Sequence, residues 1–204
     1  MRKLNAGSVK YYFVYLWQMK NIAIFASGEG TNAQNIIDYF KFSDKIKVKV
    51  IVSNNPRANV LNRAKKEGIP AMLINRESFY NSNSAIEQLR ELQIDAIILA
   101  GFLWLIPENL IVAFPEKIIN IHPALLPKFG GKGMYGMKVH EAVIKEKEKE
   151  SGISIHYINN EYDKGEIISQ HKCVVDALDT PQTLANKIHE LEKEFFPKAI
   201  EKAI

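Results

Sequence analysis

Between residues 21 and 122 the chain alternates between two hydrophobic patterns, and no other feature limits its fold so strongly. Apolar runs of strand length, NIAIFAS (21–27), KVKVIVS (47–53), PAMLI (70–74), DAIILAG (95–101) and KIINIH (117–122), are separated by segments with helical spacing, TNAQNIIDYF (31–40), NVLNRAKKEG (59–68), AIEQLRELQ (85–93) and PENLIVAF (107–114). Strands with little polar face are covered on both sides, and parallel neighbours are reached only through a crossover. The alternation therefore predicts βαβ units: an α/β, doubly wound, mainly parallel twisted sheet with helices on both faces. After it come a helix through HEAVIKEKEK (140–149), strands GISIHYI (152–158) and EIISQHKCVV (166–175), and a closing amphipathic helix from Thr180 to about Lys202. No repeat or linker divides these segments, and KEKEKE (145–150) reads as a solvated helix face.

At 204 residues, 47% hydrophobic and 25% charged, the chain has enough material for one globular domain with a sizeable core, which excludes disordered and fibrous classes. The single cysteine, Cys173, cannot form an internal disulfide and fits a reducing cytoplasm. Of the formal charge of +4, Arg2, Lys3 and Lys10 supply three, leaving about +1 from Met19 onward, so no global basic field points to nucleic acid. The leader MRKLNAGSVKYYFVYLWQ (1–18) carries only a seven-residue apolar run and no small-residue cleavage site. Either Met19 is the natural start or residues 1–18 form a dispensable extension outside the fold; a secretion signal fits less well. No apolar run approaches the roughly 20 residues that a transmembrane helix needs.

In an open α/β sheet, ligands bind beyond the carboxyl ends of the strands, which directs attention to the loops after strands 1, 4 and 5. The first is Ser27-Gly28-Glu29-Gly30-Thr31-Asn32. Its glycines permit close backbone approach, and the free N–H groups of the helix start attract a phosphate. It lacks the third Gly of a dinucleotide fingerprint and the Lys of a P-loop, so one phosphate suits it better than two. An ordinary turn capped by Thr31 or Asn32 accounts for the same residues. After strand 4, GFLWLIP (101–107) stays apolar past the strand's end. It is either a lip for a flat heteroaromatic ring, read by backbone groups, or core packing under a short helix.

After strand 5, Asn120 and His122 lie two residues apart and share one face of the strand. An amide and an imidazole side by side can donate two hydrogen bonds to an oxygen that gains negative charge; the same pair also occurs in a simple turn. Asp163, in NNEYDKGEII, precedes a Lys-Gly turn and could reach the same edge of the sheet. There a carboxylate would orient the imidazole and favour its charged form, whereas alone it is a turn residue. Pro123, Pro127 and glycines 130, 131, 133 and 136 make the connection a loop rather than a helix.

Together, SGEGTN (27–32), LAGFLWLIP (99–107), NIHPALLP (120–127) and the EYDKGEII segment around Asp163 resemble the formyltransferase family that uses 10-formyltetrahydrofolate. The resemblance runs from about Met19 to the C-terminus and implies a single Rossmann-like domain over 19–204. Asn-x-His with a later Asp is common to the whole family and to formyltetrahydrofolate hydrolase. The G-x-G-T-N loop and HPALLP resemble the members that formylate glycinamide ribonucleotide in purine biosynthesis.

That resemblance implies roles. Asn120, His122 and Asp163 would be catalytic; Gly30, Thr31 and Asn32 would hold the ribonucleotide phosphate, and Glu192 would receive the amine. Leu103, Trp104, Leu105 and Ile106, with Asn120, Asn159, Asn160 and Glu161, would meet the folate, the lip mainly through backbone groups. The co-substrate would be 10-formyltetrahydrofolate, with no metal. Leu126–Pro127 is expected to be cis. Trp104 stands where bacterial members often have Arg, and the loop 128–139 is longer than usual, either as a lid or as a tolerated insertion. The implied partners are small molecules, with neither nucleic acid nor membrane, and the chain would work as a monomer or homodimer in the cytoplasm. The alternatives are hydrolysis of the formyl folate, formyl transfer to another amine, and a non-catalytic folate- or nucleotide-binding module.

Overall fold

The computed structural model describes residues 19–204; the leader, read above as an extension, lies outside the described residues. The elements are β1 (Lys20–Phe25), α1 (Thr31–Phe40), β2 (Ile46–Ser53), α2 (Val60–Lys66), β3 (Ala71–Leu73), α3 (Ser84–Glu91), β4 (Ala96–Leu99), α4 (Glu108–Ala113), β5 (Ile118–His122), α5 (Met137–Lys145), β6 (Glu150–Tyr157), β7 (Ile167–Val174) and α6 (Pro181–Ala203). They form one seven-stranded sheet in the order β3-β2-β1-β4-β5-β6-β7. The first five strands in that order are parallel, and β6 and β7 add on antiparallel. The order reverses between β1 and β4, which opens a crevice at their carboxyl ends.

Successive strand residues feed two separate cores, as the period of two requires. Ile22, Ile24, Ile51, Ile98, Ile119 and Ile155 pack with Ile36 and Phe40 of α1 and with Leu184, Ile188 and Phe196 of α6. Ala23, Phe25, Val50, Val52, Ile97 and Ile118 face the other way, onto Ile86 and Leu89 of α3 and Leu110 of α4. Helix α6 starts on a reciprocal capping box between Thr180 and Thr183, with Pro181 in its first turn.

Two local expectations are corrected. KEKEKE is not a helix face: α5 ends at Lys145, Lys147 turns the chain with φ 56°, and Glu150 already opens β6. Correspondingly, α5 begins three residues earlier than HEAVIKEKEK, at Met137 directly after Gly136. A π-helical turn at Glu77–Asn81 had no counterpart in the sequence reading. It is held by the burial of Phe79 among Phe25, Phe102 and Trp104, a tertiary contact with no sequence period.

Candidate active site

The antiparallel register of β5 and β6 sets Asn120 opposite His156 and His122 opposite Ser154. His156 is fully buried. Its Nδ1 lies 2.8 Å from the carbonyl oxygen of Tyr157, and a carbonyl only accepts, so Nδ1 carries the hydrogen. Nε2 is then an acceptor, 3.1 Å from the Asn120 amide nitrogen, which donates to it. Burial pulls the His156 pKa below the usual histidine value, outweighing the opposing effects of the bond to the Tyr157 carbonyl and of Asp163. The effect is to orient the Asn120 carboxamide and leave its second N–H for another acceptor.

His122, also buried, donates from Nε2 to the Phe129 carbonyl at 2.7 Å. Its Nδ1 faces Asp163 Oδ2 at 3.6 Å, just beyond hydrogen-bond length. Asp163 reaches the site from a left-handed backbone conformation, φ 54°. Its Oδ2 accepts from the main-chain N–H of Gly131 at 2.8 Å, and Oδ1 lies 3.7 Å from His156 Nε2. Asn120, His122 and Asp163, expected from the sequence, therefore converge, and His156 joins them unpredicted. Its signal was present in GISIHYI: Ser154 and His156 are polar residues at period two in an apolar strand. Their pairing with Asn120 and His122 depends on register, which sequence does not give.

The turn after β5 is held from the neighbouring strands. Ser154 donates to the Ala124 carbonyl (2.7 Å) and accepts from the Leu126 N–H (2.9 Å), while the Gln170 amide donates to the Leu126 carbonyl (3.0 Å). Leu126–Pro127 is cis, as expected.

At the crevice, Gly30 ends the first loop with φ 72° and caps α1 without any side-chain bond. A Cβ there would lie 2.6 Å from Val60 Cγ2, so the position requires glycine on two counts. Neither Thr31 nor Asn32 is the cap. Asn32 instead donates its amide to Glu192 Oε2 at 3.0 Å, joining the two residues expected to meet opposite ends of the ribonucleotide. Glu192 is buried and also accepts from His189 Nδ1 at 3.0 Å. Thr31, Asn32, Arg63, His189, Glu192 and Lys193 help line a cavity of about 360 Å³. Arg63, His189 and Lys193 were not foreseen, because helical charge on its own reads as solvated surface.

The lip after β4 divides by parity. Phe102, Trp104 and Ile106 pack on the second core, while Leu103 and Leu105 are exposed. The core-packing reading thus holds for Phe102, Trp104 and Ile106, and the other two side chains are left open to solvent. Two backbone groups of the lip are engaged within the protein: the Leu103 N–H donates to Ser27 Oγ (2.9 Å), and the Leu105 carbonyl accepts from the Tyr80 hydroxyl (3.0 Å). Behind Trp104, with Arg76 5.2 Å from its ring centre, lies a cavity of about 420 Å³. Asn159 folds the loop before Asp163 as an Asx turn, accepting from the Glu161 N–H (2.9 Å) and donating to the Lys164 carbonyl (3.0 Å). Asn160 and Glu161 are exposed beside it. Among the described residues, no group of three or more His, Cys, Asp or Glu could hold a metal, and no helix is long and apolar enough to cross a membrane.

A doubly wound sheet carrying an amide, an imidazole and a carboxylate at one edge defines the class. The formyl transferase family model matches residues 20–200, and the chain belongs to that family, whose chemistry implies a folate-type formyl donor. Within it, the chain is 36% identical to phosphoribosylglycinamide formyltransferase of Bacillus subtilis (strain 168), covering 91% of this chain and 95% of the relative. It is 38% identical over 187 residues to the chloroplastic phosphoribosylglycinamide formyltransferase of Arabidopsis thaliana, with 89% of this chain aligned but only 64% of the plant protein's length. The solved phosphoribosylglycinamide formyltransferase of Bacillus halodurans superimposes with a TM-score of 0.80 at 35% identity, covering 90% of this chain and 94% of that one. Glycinamide ribonucleotide transformylase 1 of Geobacillus kaustophilus gives 0.81 at 34% identity, covering 90% and 97%.

Proposed function

We propose that the chain transfers the formyl group of 10-formyltetrahydrofolate to the amine of glycinamide ribonucleotide. The observation that carries this reading is the convergence of Asn120, His122 and Asp163 at the carboxyl edge of the sheet, with His156 fixing the Asn120 amide. In this reading the ribonucleotide phosphate sits at the uncapped start of α1, on Gly30, Thr31 and Asn32, and Glu192, bonded to Asn32, meets the ribonucleotide near that same end rather than at its amine. The folate ring lies against the lip 103–106 and the loop 159–161.

The neutral amine attacks the formyl carbon and the formyl oxygen becomes an oxyanion. The free N–H of Asn120 and the Nδ1–H of the His122 imidazolium donate to it. Nε2–H stays on Phe129, and Asp163 balances the imidazolium charge. A proton passes from the attacking nitrogen through water to the folate nitrogen, the carbon–nitrogen bond to the folate breaks, and tetrahydrofolate leaves. No covalent enzyme intermediate is required. The single thiol, Cys173, fits a cytoplasmic setting.

The test is a spectroscopic assay of tetrahydrofolate release with the purified chain. Release that depends on added glycinamide ribonucleotide, with formylated product detected, is the expected result. Formate release without the ribonucleotide would establish hydrolysis instead, and inactivity with both would refute the reading.

A further inference from the structure

His122 of β5 stands opposite Ser154 of β6, and Ser154 stands opposite Gln170 of β7, so three polar side chains form one row across the antiparallel edge of the sheet. The chain leaves β5 at His122, passes over that row and returns to the residue it left, because the Phe129 carbonyl accepts from His122 Nε2 at 2.7 Å. This arc is pinned at its middle. The buried Ser154 hydroxyl is fully engaged there: Oγ donates to the Ala124 carbonyl at 2.7 Å and accepts from the Leu126 N–H at 2.9 Å and from Gln170 Nε2 at 2.8 Å. Gln170 Nε2 gives its second hydrogen to the Leu126 carbonyl at 3.0 Å. A carbonyl only accepts, which fixes the orientation of the Gln170 amide. Leu125 lies against Gly152, where a Cβ would meet its Cδ2 at 2.8 Å, so the arc rests directly on the sheet. Gln170 itself is an exposed residue of the edge strand, apart from the residues assigned to either substrate.

We propose that Gln170 is a positioning residue for the reaction: by holding the Leu126 carbonyl it sets where the Phe129 carbonyl stands, and so the orientation in which His122 presents Nδ1 to the formyl oxygen. The proposal rests on the function given above and assigns a part in it to a strand that carries no substrate contact. The leverage is geometric. Both ends of the arc close on one imidazole, so slack at Leu126 reaches the Phe129 carbonyl and, through it, the ring.

The experiment compares Gln170→Met, which keeps the length and removes both donors, with Gln170→Glu, which keeps the shape and turns the donor into an acceptor. Both substitutions fall on an exposed strand position, and circular dichroism checks that the variants fold. In each, kcat is expected to fall about tenfold, the worth of one lost hydrogen bond, with little change in either KM. In the His122→Ala background, Gln170→Met should lower kcat no further, because its effect passes through the imidazole. A glutamate variant with wild-type kcat, an undiminished loss in the His122→Ala background, or a raised KM with kcat intact would overturn the proposal. The imidazole can also be followed without turnover. In proton–nitrogen correlation spectra of the free chain, the Nε2-bound proton of His122, assigned by its loss in His122→Ala, should shift or vanish in both Gln170 variants. That change in a chain inactive with both substrates would sink the proposed reaction and keep the positioning role; an unchanged resonance would sink the role.

Discussion

His122 donates from Nε2 to the main-chain carbonyl of Phe129 at 2.7 Å, so the segment after Pro127 touches the imidazole directly. Two residues on, the Gly131 N–H binds Asp163 Oδ2 at 2.8 Å. One short stretch of backbone thus fixes the rotamer of the imidazole and the position of the carboxylate facing it. The glycine-rich loop starts as scaffold for the site, whatever its tip does.

Gly130 lies between those two contacts. A Cβ there would sit 2.5 Å from Leu126 Cδ2 and 3.2 Å from Asp163 Cβ. Gly130→Ala is therefore expected to push the strap off the site and lower kcat about 100-fold, the usual effect of an ångström-scale misplacement. Circular dichroism should stay native, since the added methyl meets only the side chains of Leu126 and Asp163. Wild-type kcat in a folded variant would show that the strap does not position the pair.

Asn120→Ala and His122→Ala each remove one donor from the developing oxyanion, and Asp163→Ala removes the charge that faces the imidazole. Each is expected to lose about 100- to 1000-fold in kcat. Single-turnover kinetics with both substrates saturating is the measurement; a variant within a few-fold of wild type has no part in the chemical step.

His156 works through Asn120. His156→Phe leaves the Asn120 amide without its 3.1 Å acceptor, so the carboxamide can rotate. A fall of about 10- to 100-fold in kcat with little change in either KM is expected. His156→Gln, which keeps a carbonyl acceptor, should recover part of the loss. Equal activities in the phenylalanine and glutamine variants would argue for a packing role alone.

Asp179, just before α6, accepts from Lys187 Nζ (2.6 Å), from the Asp176 N–H (2.8 Å) and from the Thr183 hydroxyl (2.8 Å). These bonds, that of Lys187 foremost, hold its pKa down at about 2. The folded value lies below the unfolded one of about 3.9. The carboxylate therefore stabilises the fold above the unfolded pKa, and the contribution is lost as pH falls through the folded one. Asp179→Asn should show a lower urea midpoint at neutral pH, and the two curves should converge near pH 2. Identical midpoints at pH 7 would rule out this anchor for α6.

The sequence by itself determined the layers. Hydrophobic period is a local property, and the switch between NIAIFAS and TNAQNIIDYF is enough to order strands and helices, as β1 and α1 bear out. It also marked Asn120, His122 and Asp163, because polar residues at strand ends and turns break the apolar pattern. Only the tertiary structure decided what they do together. Asp163 lies about 40 residues from His122, and nothing in either segment sets the 3.6 Å between them. The register of β5 against β6 placed His156 on Asn120, and a one-residue slip would have turned it to the opposite face. The packing of α6 against α1 brought His189 and Glu192 to Asn32 across 160 residues of chain. Local patterning chooses elements; long-range packing chooses which of their polar groups meet.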